Sequence, residues 1–228
     1  MCYKQMREIR FERSEVMRHL LRGFAVACVL LIFGAAGACA AAKAGTLVCV
    51  GLYSETSDGY VSWRAGGGQW TTVKVGDVIP ANGEIKINVD RDWVELVQAT
   101  NPNAVYEVDG PDAGGEIVKK VAEILKMKPR TVSFPKGTKT APDPKFKDKL
   151  VVAQYLGRQI YRNADGDEKD IKYGDILDIK GKVRIIAINN TINLMNAEGK
   201  VTTVIGPLVF NIDQVLNNKQ LYKFLNVN

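Results

Sequence analysis

The chain has 228 residues, with 31 Lys and Arg against 25 Asp and Glu and a formal net charge of +6 at pH 7. Residues 1–44 carry seven of the basic and three of the acidic side chains, so 24 basic and 22 acidic residues remain after them. That balance gives no electrostatic case for a nucleic-acid partner. The only histidine, His19, also lies within residues 1–44, which excludes Ser–His or Cys–His nucleophile systems and His-based zinc sites from the rest of the chain.

Residues 1–44 are typical of an export signal. Basic residues reach Arg22, an uninterrupted apolar run covers residues 24–32, and Ala42-Lys43-Ala44 matches an A-x-A cleavage site. We therefore expect an exported protein, periplasmic or associated with the cell envelope. Two alternatives stay open, retention of the segment as a transmembrane anchor and lipidation at Cys39, and membrane association is expected only in these two cases.

Cys49 stands in the strand-like segment 46–50, and cleavage after residue 44 would leave it as the only cysteine. No intramolecular disulfide is then possible. A single cysteine among β-branched residues is interpreted as a small buried apolar residue rather than a reactive thiol.

One short stretch occurs twice, because residues 75–79 (VGDVI) recur as residues 173–177 (YGDIL). The neighbouring matches keep their order: Trp63-Arg64 with Tyr161-Arg162, Lys74 with Lys172, residues 83–87 with 181–185, and Gly110-Pro111 with Gly206-Pro207. The spacing is 98 residues between the Gly-Asp pairs and 96 between the Gly-Pro pairs. Such an ordered series predicts one unit used twice.

Each Gly-Asp pair is predicted to form a tight turn between two strands. Gly76 and Gly174 can adopt positive φ, and Asp77 and Asp175 can accept a backbone N–H. We interpret these residues as structural, together with Gly110, Pro111, Gly206 and Pro207. The alternative makes Asp77 and Asp175 catalytic or metal-binding carboxylates, but no neighbouring His, Cys or second carboxylate supports it.

A wider pattern runs Trp70-x-x-Val73-x-Val75-Gly76-Asp77-x-Ile79, then Gly83-x-Ile85-x-Ile87 and Val94-x-Leu96. It resembles the FecR-type extracytoplasmic domain of bacteria. The resemblance covers residues 59–111 and, with fewer matches, residues 157–207, where Glu168 stands in place of Trp70. It implies a small β-rich module met in iron-transport signalling proteins and in secreted or anchored proteins of unassigned function, and it brings no catalytic residues.

Residues 66–68 are three glycines followed by a strand composition, which favours a hairpin over a phosphate-binding loop. Residues 165–167 (DGD) fill the same place in the second unit. Asn163, Asp165 and Asp167 alternate like the opening of a calcium loop, but Glu168 and Gly174 occupy the positions that need Gly and Glu. A weak calcium site stays an alternative, and we expect no metal and no cofactor.

Beyond Gly110-Pro111 the apolar spacing becomes that of an amphipathic helix, which ends before Pro129. Its apolar positions are Ile117, Val118, Val121, Ile124 and Leu125, and those of the second unit are Ile212, Val215, Leu216, Leu221 and Phe224. We predict a mainly β fold of two small sandwich- or barrel-like units, each followed by a helix that packs on its sheet. Membrane-surface binding is the alternative for the first helix.

Residues 129–148 are rich in Pro and Lys and are predicted to be a linker. The predicted organisation is a leader or anchor at 1–44, a first β unit with its helix at 45–128, the linker, and a second β unit with its helix at 149–228. Docking of the linker on an acidic surface is the alternative to a solvated spacer.

The three tryptophans all lie in the first unit. Trp63, Trp70 and Trp93 correspond to Tyr161, Glu168 and Thr191 at the 98-residue offset. Replacement of Trp70 by a glutamate predicts that this position is partly exposed, and an exposed indole beside a glycine hairpin is a common contact surface. Trp70, Gly67 and Trp93 are therefore the candidate partner-binding residues. The alternative is that Trp70 covers its own sheet.

These observations predict a non-enzymatic exported protein of the bacterial envelope that binds or scaffolds another envelope protein or polymer. One alternative is a periplasmic relay component of a FecR-like regulatory system. The other is a carboxylate-based hydrolase of an envelope polymer, because two acids from distant strands could converge.

Overall fold

The computed structural model describes residues 45–53, 61–112 and 114–217, and this part of the chain is mainly β. The predicted leader, with Cys39 and the A-x-A site, lies outside the described residues. Within them, no helix combines the length and the apolar character needed to cross a membrane.

Residues 45–128, here called the first half, and the connecting segment 129–148 form nine strands and a short helix among the described residues. The strands are β1 (Leu47–Tyr53), β2 (Val61–Ala65), β3 (Thr71–Thr72), β4 (Val78–Ile79), β5 (Gly83–Ile87), β6 (Trp93–Gln98), β7 (Asn101–Asp109), β8 (Ile117–Lys120) and β9 (Arg130–Thr131). Helix α1 (Val121–Ile124) lies between β8 and β9, and one 3₁₀ turn (Pro144–Phe146) follows β9.

Residues 149–217, the second half, continue with strands and end in a second short helix. The strands are β10 (Lys149–Leu156), β11 (Gln159–Arg162), β12 (Glu168–Asp170), β13 (Ile176–Asp178), β14 (Lys182–Ile185), β15 (Thr191–Met195), β16 (Val201–Ile205) and β17 (Leu208–Asn211), and the helix is α2 (Ile212–Leu216).

The strands form one nine-stranded and two four-stranded sheets. The large sheet runs β16-β15-β10-β1-β6-β7-β9, with β13 also paired to β10 and β4 to β1, and the small sheets run β3-β2-β5-β8 and β12-β11-β14-β17. Strands β1 and β10 pair in parallel, with Gly51 opposite Tyr155 and Leu52 opposite Leu156. The large sheet is therefore shared by the two halves.

Two apolar cores lie on opposite faces of the large sheet, because successive strand side chains point to opposite faces. The first core contains Leu47, Cys49, Leu52, Val61, Val73, Ile79, Ile85, Ile87, Val94, Leu96, Tyr106, Val108, Val121 and Ile124. The second core joins Val50, Tyr53, Val97, Val105 and Val132 to Leu150, Val152, Tyr155, Tyr161, Tyr173, Val183, Ile192, Leu194, Phe210 and their neighbours. The first core belongs almost wholly to the first half, whereas the second core needs both halves.

The order of strand pairings is the same in the two halves. Strand β1 pairs with β4 and β6 as β10 pairs with β13 and β15. The β1–β6 pairing has an irregularity between Cys49 and Gly51, and the β10–β15 pairing has one at the equivalent place, between Val152 and Gln154. Strand β2 lies between β3 and β5 as β11 lies between β12 and β14.

The predicted first helix is wrong over its first four residues. Residues 117–120 form β8, which pairs antiparallel with β5 from Ile87–Ile117 to Glu84–Lys120. Ile117 and Val118 are β-branched and fit a pleated edge, so sheet pairing prevails over the helical spacing. Helix α1 buries Val121 and Ile124, and α2 buries Ile212 and Val215, while the predicted Leu221 and Phe224 lie outside the described residues.

The connecting segment contacts both halves. Strand β9 pairs with β7, and Val132 N donates to Asn103 O at 2.9 Å. Farther along, Asp143 N donates to Ala197 O at 2.8 Å, and Phe146 is buried. The predicted linker therefore contributes a strand, a 3₁₀ turn and three buried residues, Val132, Pro135 and Phe146.

Candidate functional site

Trp70 lies on the outer face of the first small sheet. Trp63 and Ile85 pair across β2 and β5 and point toward the first core, so their chain neighbours Arg64 and Lys86 point outward. The Arg64 guanidinium carbon is 4.4 Å and the Lys86 Nζ 4.7 Å from the centroid of the Trp70 ring. Trp70 is half-buried, and cation–π contacts of this kind stabilise by about 0.5–1 kcal/mol each at exposed sites.

The two cations are held in turn by carboxylates. Arg64 Nη2 lies 2.6 Å and Arg64 Nε 2.7 Å from Glu84 Oε2, and Lys86 Nζ lies 3.9 Å from Glu116 Oε2. The Glu84 side chain keeps only 19% of its surface exposed. This array fixes the orientation of the indole on the sheet.

The turn from β2 to β3 forms the adjacent rim. Gly66 and Gly67 have φ of +54° and +79°, a backbone region that favours glycine. A Cβ at Gly67 would have no heavy atom within 4 Å, so the turn is open to solvent on that side. Trp70 and Gly67 thus lie on one hairpin, as the sequence predicts.

The second half has a carboxylate instead of an indole at the position that corresponds to Trp70. Glu168 stands where Trp70 does, and it lies 3.7 Å from Arg184, the residue that matches Lys86. The second half therefore pairs its cation with a carboxylate, whereas the first half pairs two cations with an indole ring.

Trp93 does not share the surface around Trp70, because it begins β6 of the large sheet, whereas Trp70 directly precedes β3 and packs on the first small sheet. The Trp93 ring stacks on Tyr53 with centroids 3.6 Å apart and planes 11° apart. Its Nε1 donates to Tyr155 Oη at 2.8 Å, and Lys172 Nζ lies 5.3 Å from the ring centroid. These contacts place Trp93 at the junction between the halves.

The two Gly-Asp pairs occupy equivalent turns. Gly76 N donates to Cys49 O at 2.8 Å and Gly174 N to Val152 O at 2.7 Å. Asp77 Oδ2 accepts from Lys74 N at 2.8 Å and from Trp63 Nε1 at 3.2 Å.

The carboxylate in the second turn has similar contacts. Asp175 Oδ2 accepts from Lys172 N and lies near Lys169 Nζ, both at 3.0 Å. Both turn carboxylates therefore hold their own turns.

The Gly-Pro pairs close a second set of equivalent turns. Gly110 N donates to Asp92 O at 2.7 Å, and Gly206 N donates to Asn190 O at 2.9 Å. The peptide bond between Gly206 and Pro207 is cis.

A buried polar network at the junction was not predicted from the sequence. Glu95 on β6 is fully buried; it accepts from Arg130 Nη2 and, at 2.7 Å, from Tyr173 N. Burial raises the pKa of Glu95 above its ordinary value, although the Tyr173 N–H, Arg130 and the Tyr155 hydroxyl each lower it. One acid inside the apolar run of β6 is the sequence signal that could have revealed this network.

Two further carboxylates share a face with Glu95. In the β6–β7 pairing, Glu107 lies opposite Glu95, and Asp109 lies opposite Trp93. Burial and the adjacent Glu107 raise the pKa of Asp109, while Lys172, which pairs with Glu107, lowers it. The arrangement joins the two halves through Lys172 and the Tyr173 N–H, and it attaches the connecting segment to β6 through Arg130.

Cys49 is confirmed as a buried apolar residue. Its side chain is fully buried in the first core, and burial, with a contribution from Asp77, raises the pKa of the thiol well above its ordinary value. Within the described residues, no group of three or more His, Cys, Asp or Glu side chains is arranged to hold a metal ion.

Comparisons with known proteins identify no relative: no protein-family model matches the chain, and neither a curated protein nor a solved structure does.

Proposed function

We propose that this chain is a non-enzymatic binding or scaffolding protein of the bacterial envelope and that Trp70 is the centre of its contact surface. The observation that carries the proposal is the indole ring oriented by Arg64 and Lys86 on the outside of a sheet, beside the open Gly67 turn. The indole is absent from the equivalent position at Glu168, although Arg162 and Arg184 stand where Arg64 and Lys86 do and Gly166 holds the corresponding turn.

Such a surface suits a partner that offers a flat apolar group and a negative charge. An indole gives a large rigid apolar face and one N–H donor, so it contacts a sugar ring or a protein side chain at a small entropy cost. Arg64 and Lys86 add positive charge around the ring. An anionic envelope polymer or an acidic patch on an envelope protein matches both properties.

Other observations support the proposed location in the envelope and the proposed non-enzymatic role. The leader at 1–44 has the pattern of an export signal, and the resemblance to FecR-type domains points to an extracytoplasmic module without catalytic residues. Asp77 and Asp175 each accept a backbone N–H of their own turn at Oδ2.

The two halves are further proposed to be copies of one β sandwich-like unit that ends in a short helix. The shared order of pairings and the equivalent turns at Gly76 and Gly174 support duplication. So do the helix starts, because Glu123 accepts from Lys120 N and Gln214 accepts from Asn211 N at matching positions. Only the first copy carries the tryptophan surface.

The test is capture of envelope components by the immobilised chain, compared among matched variants. Trp70→Ala should weaken capture at least about 30-fold, which corresponds to the roughly 2 kcal/mol that defines an interface hot spot. Trp70→Phe should recover part of the binding, and Glu168→Ala should leave it unchanged.

Thermal unfolding of the same variants separates binding from packing. Unchanged capture by Trp70→Ala together with a lower Tm would make Trp70 a packing residue and overturn the proposed surface. Turnover of an envelope polymer by the purified chain would contradict the non-enzymatic proposal.

A further inference from the structure

We propose that Lys86 is the specificity-determining cation of the Trp70 surface, that the ligand is a carboxylated glycan, and that Glu116 competes with this ligand for Lys86. The proposal rests on the binding function proposed above, because it names the ligand class and the charge recognition of the same surface.

The outer face of the first small sheet consists of two adjacent rows of side chains. Trp63 and Ile85 point into the first core, so their chain neighbours on β2 and β5 point outward. One row contains Arg64, Glu84 and Lys120, with the Trp70 ring over Arg64. The other row contains Thr72, Ser62, Lys86 and Val118. The Lys86 row therefore lies directly beside the indole.

Arg64 has little charge to offer a ligand, because Glu84 already neutralises it. Arg64 Nη2 and Nε lie 2.6 Å and 2.7 Å from Glu84 Oε2, and only 30% and 19% of the two side chains are exposed. Charge-assisted hydrogen bonds of this length between covered groups are strong. Arg64 therefore positions the indole ring.

Lys86 keeps its charge available. Its Nζ lies 4.7 Å from the centroid of the Trp70 ring and 3.9 Å from Glu116 Oε2. The second distance is too long for a hydrogen bond, so Glu116 satisfies none of the three ammonium donors. The Glu116 side chain is 60% exposed, and a loose ion pair with an exposed partner contributes little to stability. A ligand carboxylate can therefore displace Glu116 from Lys86.

The second small sheet is built differently at the matching positions. Arg184, which corresponds to Lys86, lies 3.7 Å from Glu168, which stands in place of Trp70. Pro207 immediately precedes β17, whereas Glu116 immediately precedes β8. Of the two small sheets, the first therefore combines an indole, a cation and a displaceable carboxylate.

The outer face suits a sugar better than a protein surface. A sugar ring stacks on one face of an indole, and its hydroxyls need partners that both donate and accept hydrogen bonds. Ser62 and Thr72 supply such hydroxyls in the row beside the ring. A protein partner needs an apolar contact core within about 800 Å² of buried surface per side, whereas the two rows contain only Val118 besides the indole. Lys86 then selects sugars that carry a carboxylate.

Binding of defined glycans to the full chain tests the ligand class. The probes are alginate, polygalacturonate and hyaluronate, each compared with its carboxyl-reduced form, which keeps the sugar ring and loses the charge. At least one acidic glycan should bind at least tenfold more tightly than its reduced form, measured by calorimetry at low salt. Poly-L-glutamate, which carries carboxylates without sugar rings, should bind at least tenfold more weakly than that glycan.

Two conservative variants test the roles of the charged residues. Lys86→Met keeps the aliphatic stem and should weaken binding of the acidic glycan at least tenfold, while binding of the reduced form stays within twofold. Glu116→Gln removes the competitor and should strengthen binding of the acidic glycan at least threefold. Arg184→Met is the matched control in the second half and should change neither. Arg64→Met should weaken both forms alike, because Arg64 acts through the indole.

Several results would overturn the proposal. They are equal weakening of both glycan forms by Lys86→Met, parental affinity in Glu116→Gln, tight binding of poly-L-glutamate, and no binding of any of the three acidic glycans. The proposed function is tested separately, since it fails when Trp70→Ala leaves capture of envelope components unchanged. Loss of that capture in Trp70→Ala, without binding of acidic glycans, retains the Trp70 surface and rejects the glycan.

Discussion

Two glycines at equivalent turn positions differ in their surroundings. Gly76 and Gly174 have φ of +96° and +78°, so both occupy the left-handed region. A Cβ at Gly174 would lie 2.4 Å from Val132 Cγ1, whereas a Cβ at Gly76 would have no heavy atom within 4 Å. The second turn thus carries a packing constraint in addition to its backbone conformation.

We expect Gly76→Val to lower the free energy of unfolding by about 1–3 kcal/mol, the usual cost of a residue held in a rare backbone region. Gly174→Val should cost more, because the new side chain also meets Val132. Urea unfolding of both variants measures the difference, and adding Val132→Ala should recover part of the loss at Gly174 only. Equal losses at the two glycines would contradict the packing constraint.

Sequence reasoning at this scale succeeds where a residue acts locally. The turns at Gly76 and Gly174 follow from backbone freedom and from an aspartate that accepts a nearby N–H. The close approach of Val132 to Gly174 joins residues far apart in the chain, so no local sequence pattern predicts it. The same holds for Trp70, whose partial exposure follows from Glu168 but whose two cationic neighbours depend on the β2–β5 register.

At the scale of the strand, β6 places a carboxyl group inside an apolar environment. Burial raises the pKa of Glu95, so the folded chain holds this proton more tightly than the unfolded chain does. Glu95 therefore favours folding most at low pH. Its contribution falls as the pH rises from the ordinary glutamate pKa, about 4.3, through the higher pKa of the folded state.

We expect Glu95→Gln to remove this pH dependence. Glutamine is neutral and can still accept one of the hydrogen bonds, so the stability of the variant relative to the parent should improve as the pH rises above about 4.3. Urea unfolding of both proteins across the acidic and neutral range measures the difference. A difference that stays constant, or that shrinks with rising pH, would show that Arg130 and Tyr173 outweigh the burial.

The sequence predicts the boundaries of a strand or helix only where the spacing of apolar residues is not overridden by pairing with a distant strand. Residues 117–125 have helical spacing, yet residues 117–120 form β8, because β5 offers a free edge that the sequence alone does not reveal. The Pro and Lys composition of residues 129–148 indicates an exposed path, and many of its side chains are exposed. It does not indicate the pairing of β9 with β7, which depends on the position of β7 in the sheet.

For the whole molecule, the large sheet and the second core join two units that the sequence predicts to be separated by a linker. Strands β1 and β10 pair side by side, and Glu95 and Lys172 connect the halves through hydrogen bonds and ion pairs. Gly51 permits the close approach, since a Cβ there would lie 2.3 Å from the Tyr155 ring. These features favour unfolding of both halves in one step.

We expect a single cooperative transition in urea. All three tryptophans lie in the first half, and Trp93 also contacts Tyr155 and Lys172 of the second half. Tryptophan fluorescence therefore reports on the first half and on the junction, whereas far-UV circular dichroism reports on both halves. The two transitions should coincide. Separated transitions would support independent units.

Limited trypsin digestion gives a second measurement. Trypsin should cut first at exposed lysines of the connecting segment, such as Lys139, and the two fragments should stay associated. Fragments that dissociate would support independent units.

The parallel pairing of β1 with β10 also sets an order for synthesis on the ribosome. The first core is almost complete when residue 125 has emerged, because nearly all of its side chains come from the first half. Val50, Tyr53, Val97 and Val105 then face water until strands about 100 residues later arrive, which is a long loop to close. We therefore expect the nascent chain to pass through a stage with one completed core and one solvent-exposed apolar face, and aggregation is most favoured at that stage.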